Sequence, residues 1–153
     1  MPVARAFFFA GLRMRLIAVF VCAFFIVACA GSTDPGRPGV PVVGGWSYAG
    51  QQVAPGSASL TGAISFSTQS GSKISGSVDF VEIDSRGQQR RVAGPFSGRT
   101  VDSTTLDFEV VLGALSRRHV GRVKGDSLTG TWVESSGDGI PTASGTFRSA
   151  RGR

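Results

Sequence analysis

Few residues of this 153-residue chain have the type and spacing to do chemistry. His119 is the sole histidine, so a multi-histidine metal site is excluded, and no metal or cofactor is expected. It lies among Arg117, Arg118 and Arg122, where cationic neighbours disfavour its charged form. It reads as a rim or surface strand residue, because the sequence identifies no carboxylate to orient it as a general base. Two carboxylate groups recur at strand spacing, Asp79, Glu82 and Asp84 in one segment and Asp107 and Glu109 in another. Asp107 and Glu109 oppose the apolar residues of their segment and are expected to point outward, paired with Arg90, Arg91 or Arg99 across strands. None of the many serines stands in a Gly-x-Ser-x-Gly elbow. No glycine-rich phosphate loop leads into a helix. No catalytic residue is therefore assigned, and the chain is not expected to be an enzyme.

Arg117, Arg118, Arg122 and Lys124 form the strongest basic cluster and are the candidate binding surface. Alternation puts Arg118, Arg122 and Lys124 on one face. That face reads as solvated strand, with anionic headgroups, anionic glycans or an acidic protein as the sharper options.

Cys29 ends the apolar run Leu16–Ala28, thirteen residues long, which follows Arg13 and Arg15. Thirteen residues suit a signal segment and fall short of the roughly 20 that span a bilayer. Ile26-Val27-Ala28-Cys29 resembles the lipobox of a bacterial lipoprotein leader. The resemblance implies cleavage before Cys29 and acylation of its thiol. Cys22 fits less well, because bulky Val21 precedes it. Met14 offers a second start that would give the same mature chain. Ala30 follows the cysteine with no aspartate there, which favours the outer membrane, facing the periplasm, in a cell with two membranes.

Removing 28 of the 153 residues leaves 125, enough for one domain. Arg5, Arg13 and Arg15 leave with the leader, so 13 basic residues face 10 acidic ones, a net charge of +3. That is too small a footprint for a nucleic-acid partner. Both cysteines lie in the leader region, so the folded part has no disulfide to hold it in an oxidising compartment. Residues 29–43 read as the modified cysteine and a Pro/Gly-rich tether, 44–150 as the domain, and 151–153 as a C-terminal tail.

From Gly44 the pattern is that of strands separated by turns every 10–15 residues or so. In Thr105–Leu112, Leu106, Phe108, Val110 and Leu112 share one face. Ser59–Thr68, Lys73–Asp84, Ser127–Glu134 and Thr142–Arg148 alternate similarly, and Gly45–Ala49, Arg90–Val101 and Arg117–Lys124 do so more weakly. Val81 and Ile83 break the parity of their segment, suggesting a bulge or a covered outer face. The expectation is an all-β small antiparallel up-and-down barrel of about eight strands, with a two-sheet β-sandwich as the alternative. Trp46, Phe66, Phe80, Phe108, Trp132 and Phe147 are its candidate interior aromatics.

A small hydroxyl residue precedes glycine inside strand after strand: Thr61-Gly62, Ser75-Gly76, Ser97-Gly98, Thr129-Gly130 and Ser144-Gly145. Glycines on the inner face suit the tapering end of a strongly coiled barrel. Gly45-Trp46, Leu60-Thr61-Gly62 and Ser127-Leu128-Thr129-Gly130-Thr131-Trp132 resemble small meander barrels of the avidin and lipocalin kind. The resemblance implies a tryptophan near the barrel floor, at Trp46 and less closely at Trp132, and a cavity at the open end. The further tryptophans with which an avidin encloses biotin are missing, so biotin binding is not implied.

The expected function is that of a lipid-anchored cell-envelope β-barrel, held to the membrane by its N-terminal lipid and binding a small ligand or an envelope partner without catalysis. The competing expectation is a structural, assembly or inhibitor lipoprotein acting through its outer surface around a packed interior.

Overall fold

The computed structural model describes residues 40–152. The expected leader, Cys29 and most of the tether lie outside them. Eight strands follow one another, β1 (Gly44–Ala54), β2 (Ala58–Ser70), β3 (Lys73–Asp84), β4 (Gln89–Thr100), β5 (Thr105–Leu112), β6 (Leu115–Lys124), β7 (Ser127–Ser136) and β8 (Pro141–Arg151). Each pairs antiparallel with the next, and β8 returns to β1, with Trp46 opposite Arg151 and Gly50 opposite Phe147. That last ladder closes the sheet into an up-and-down barrel, which rules out the sandwich.

The hydroxyl–glycine repeat has a packing cause. Alternation turns the hydroxyl residue away from the core and the glycine inward, and each of these glycines stands directly opposite a ring. Gly62 faces Phe80, Gly76 faces Phe96, Gly98 faces Phe108, Gly130 faces Phe147 and Gly145 faces Trp132. A β-carbon at Gly62 would lie 2.2 Å from the Asp79 carbonyl oxygen and 2.4 Å from Phe80 Cα. At Gly145 it would lie 2.6 Å from the Trp132 ring. Strong coiling thus brings strands so close that only glycine fits, and the neighbouring ring covers the gap. The glycines are spread along the wall, not gathered at one tapering end as expected.

Irregularities in the ladders shape the wall. The expected disturbance at Val81 and Ile83 is absent, since β3 keeps register there with β2 and β4 while Ile83 faces solvent. Register shifts lie instead between Phe66 and Thr68 in β2, between Gln52 and Ala54 in β1, and at Glu134–Ser135 in the β7–β8 ladder. The β4–β5 ladder starts at Phe96, opposite Val110, and β5 ends at Leu112, so Gln89–Ala93 have no β5 residue to face and ladder with β3 alone.

The end where the chain enters is plugged by residues assigned above to the tether. Val42 is fully buried and Val40 packs on the core. Trp46 Nε1 donates to the Val42 carbonyl at 2.9 Å, Gln69 Nε2 donates to the Val40 carbonyl at 3.0 Å, and the Arg151 guanidinium lies 4.8 Å from the Trp46 ring centre. The folded unit thus starts before Gly44, and β8 takes Arg151 from the expected tail. The turns 71–72, 101–104 and 125–126 lie at this entry end. The turns 55–57, 85–88, 113–114 and 137–140 lie at the far end.

Gly62→Ala should lower stability to denaturant by about 1–3 kcal/mol, because its new methyl meets backbone that cannot yield. Gly45→Ala, at an outward position with nothing within 4 Å, should stay within about 0.5 kcal/mol of the parent. Equal effects in urea unfolding would contradict the close-approach account.

Candidate functional site

The parity of β6 decides where its basic residues go. Arg117, His119, Gly121 and Val123 face inward, while Arg118, Arg122 and Lys124 are exposed. Arg117 is thus removed from the candidate binding surface: none of it is exposed. His119 is equally buried, not the rim residue expected above. The alternation that sends Arg118 out necessarily turns both neighbours in.

Arg117 lies beneath the far end of the barrel, inside a cluster of alternating charge. Its Nη2 donates to Glu134 Oε2 at 2.6 Å and to Glu82 Oε2 at 3.0 Å, and its Nε donates to Glu134 Oε2 at 3.2 Å. The guanidinium is 4.1 Å from the Trp132 ring centre and 5.5 Å from that of Phe80, so the rings supply a second favourable surface for the cation. Arg90 closes the cluster from the solvent side, donating from Nη2 to Glu82 at 3.0 Å and to Glu134 at 3.3 Å. Its side chain is 46% exposed, against 12% for Glu82 and 5% for Glu134. Two cations and two carboxylates balance, as burial of charge requires. Arg117 Nη1 and Trp132 Nε1 have no hydrogen-bond partner among the described residues.

Below Arg117 the interior is filled with rings. Tyr48 stacks on Phe80 at 4.6 Å, His119 lies parallel to Phe108 at 4.8 Å, and Phe66 meets Phe96 and Phe108 edge-on. His119 Nδ1 is 3.3 Å from the Arg117 carbonyl, which can only accept, so Nδ1 carries the proton and Nε2 accepts from the Tyr48 hydroxyl at 3.3 Å. Burial, and then the Arg117 charge, push the imidazole down to about 3. Burial likewise raises the Tyr48 phenol above its ordinary range. Neither group exchanges a proton near neutrality or reaches solvent, so this pair is a packed, satisfied element of the core.

The six candidate interior aromatics are all buried, together with Tyr48 and Phe96. On the outside, Arg118 makes a two-pronged pair with Asp107 at 2.8 Å and Arg91 one with Asp79 at 2.7–2.9 Å. Those hydrogen bonds hold both carboxyls below the usual range. The partner of Asp107 therefore comes from β6, not from Arg90, Arg91 or Arg99. The larger depressions open on the outer wall: one of 670 Å³ beside Val111, Val120 and Val133, and one of 1090 Å³ beside Lys73, Arg99 and Arg118.

No protein-family model matches the chain, and no curated protein matches its sequence. In fold it is similar to solved β-barrels. EF1p2_mFAP2b bound to DFHBI has a TM-score of 0.56 at 17% identity, covering 72% of this chain and 93% of that one. A redesigned β-barrel, mFAP1, bound to DFHBI, has 0.55 at 17% identity, covering 71% and 94%. A de novo designed fluorescence-activating β-barrel has 0.53 at 18% identity, covering 72% and 94%. The shared property is the architecture, an eight-stranded antiparallel barrel.

Two outcomes test the interior. Glu134→Ala leaves Arg117 without its main partner and should cost about 3–5 kcal/mol, whereas Asp107→Ala on the exposed wall should cost within about 1 kcal/mol. A small loss at Glu134 in urea unfolding would contradict the buried cluster. His119 keeps its proton off until about pH 3 when folded, whereas the unfolded imidazole takes one up near 6.5. Acid therefore favours the unfolded chain, and stability should fall as pH drops from 6.5 toward 3, by up to about 1.4 kcal/mol per unit from this group. That part of the slope should vanish in His119→Gln.

Proposed function

We propose that the chain is a lipid-anchored barrel of the bacterial cell envelope, held at the outer membrane where the cell has two, which binds a partner through its exterior without catalysis. The filled interior is the observation that carries this reading. Rings pack at 4.6–6.1 Å from one another, the core side chains are 0–4% exposed, and the one histidine is buried and neutral. The Cys29 run supplies the anchor, and residues 30–39 provide a spacer between anchor and barrel.

A second reading is favoured by two buried nitrogens without a partner among the described residues, Arg117 Nη1 and Trp132 Nε1, in a cluster that the half-exposed Arg90 covers through Glu82 and Glu134. A small ligand with acceptor oxygens that displaced Arg90 would meet the Arg117 end of this cluster. The barrels bound to DFHBI support this reading by analogy of fold.

The test is native purification of the tagged full chain from membranes, with mass spectrometry of its N-terminus and of co-purifying lipids, small molecules and proteins. The expected result is a mature chain beginning at acylated Cys29, with bound partners retained in Arg90→Met. An unmodified Cys29 would overturn the anchor. A stoichiometric small molecule lost in Arg90→Met would establish the second reading instead.

A further inference from the structure

The cations of the barrel fall into two classes. Arg90, Arg91, Arg117, Arg118 and Arg151 have carboxylate partners. Lys73, Arg86, Arg99, Arg122, Lys124 and Arg148 make no ion pair among the described residues, and all six are exposed. Of these, only Arg86 lies at the far end. Lys73 opens β3, Arg99 is next to last in β4, Arg122 and Lys124 close β6, and Arg148, three residues short of the end of β8, stands opposite Thr129 near the start of β7 and Ala49 midway along β1. Five free cations therefore ring the entry end, on four strands around the circumference.

Their arrangement works against the fold. Lys73 stands directly opposite Arg99, and Arg122 and Arg148 flank Thr129 on either side. Like charges facing one another across strands destabilise a sheet. Of the nearby carboxylates, Glu109 makes no ion pair among the described residues and lines the same depression as Lys73 and Arg99, while the others are engaged elsewhere. Asp102 accepts from the backbone of Thr104 and Thr105 and from the Thr104 hydroxyl, which holds its carboxyl at about 2. Asp126 faces Arg151 at 3.6 Å, and Asp107, across from Arg99, is held by Arg118.

The chain also enters at this end, through Val42, so whatever holds it to a membrane upstream draws this collar toward the bilayer. Val43 and Val101, 49% and 56% exposed, stand at the same end. A collar around a barrel end, with apolar residues among the cations, suits a broad planar anion more than a polyanion strand, which needs a groove. We propose that the barrel docks end-on onto an anionic lipid surface through Lys73, Arg99, Arg122, Lys124 and Arg148, with Val43 and Val101 at the contact. This rests on the membrane-anchored reading above and names the partner of the exterior.

The test is amide hydrogen exchange of the full chain in vesicles of phosphatidylcholine alone, or with phosphatidylglycerol added at about a third of the lipid. Exchange at turns 71–72, 101–104 and 125–126 should slow on the anionic vesicles and recover in 0.5 M salt. The far-end turns should not change. Protection should fall by up to roughly fivefold for each cation replaced by glutamine, and disappear in the five-site variant. Arg86→Gln should leave it intact. The five-site variant should melt no lower than the parent, since it removes like-charge pairs, and this separates lost docking from lost folding. Equal exchange on both vesicles, or protection retained in the five-site variant, would overturn the proposal. Protection by a soluble acidic polysaccharide with none from anionic vesicles would overturn it in favour of a glycan. Cys29→Ser, held in the same vesicles by its uncleaved apolar leader, should show the same contrast. Failure of acylation is read from the N-terminal mass, and failure of docking from the exchange.

Discussion

Close approach of neighbouring strands at inward glycines, each covered by a ring from an adjacent strand, is the constraint on which this barrel depends. Closing only eight strands demands strong coiling, and coiling presses backbone onto backbone where a β-carbon would stand. Glycine permits the approach at a cost in chain entropy and lost packing. The facing ring offsets that cost by filling the space the missing side chain leaves. Gly62 against Phe80 and Gly145 against Trp132 thus do two things at once: they bend the wall and they occupy the interior.

From that packing follows the character of the polar residues inside. Arg117 can be fully buried because Trp132 and Phe80 bracket its guanidinium while Glu134 and Glu82 take its charge. Removing either carboxylate would leave uncompensated charge in a low-dielectric interior. His119 and Tyr48 extend the polar path downward, each supplying what the other lacks, with the backbone of Arg117 as the last acceptor. The path stabilises one arrangement of the rings. It offers no proton to a substrate and no exposed nucleophile. On the outer wall Arg118 is paired, and Arg122 and Lys124 make no ion pair among the described residues.

Much of this was legible in the sequence because a strand writes its faces in alternation. β3 and β5 begin and end at the residues their patterns marked, Lys73–Asp84 and Thr105–Leu112, and the six rings assigned to the interior are buried there. The inward charges were not legible in the same way. A charged residue usually marks the outer face, so adjacency groups Arg117 with Arg118, although their parity places them on opposite sides. Glu82 and Glu134 become interior only when β3 and β7 curve to the same mouth, and that is a property of closure. The role of Val42 was hidden too, because two residues between prolines and glycines show no periodicity until Trp46 and Gln69 bind their backbone.

In the proposed reading the interior is packed and a partner meets the exterior. The most direct measurement is a titration of the isotope-labelled full chain in vesicles with envelope extract, followed by nuclear magnetic resonance at the Trp132 indole N–H and at the backbone amides of Arg122 and Lys124. The account predicts that the two outer amides shift while the Trp132 indole stays fixed. A saturable shift of the Trp132 indole, with the β6 outer amides unmoved, would contradict it and place the ligand beneath Arg90.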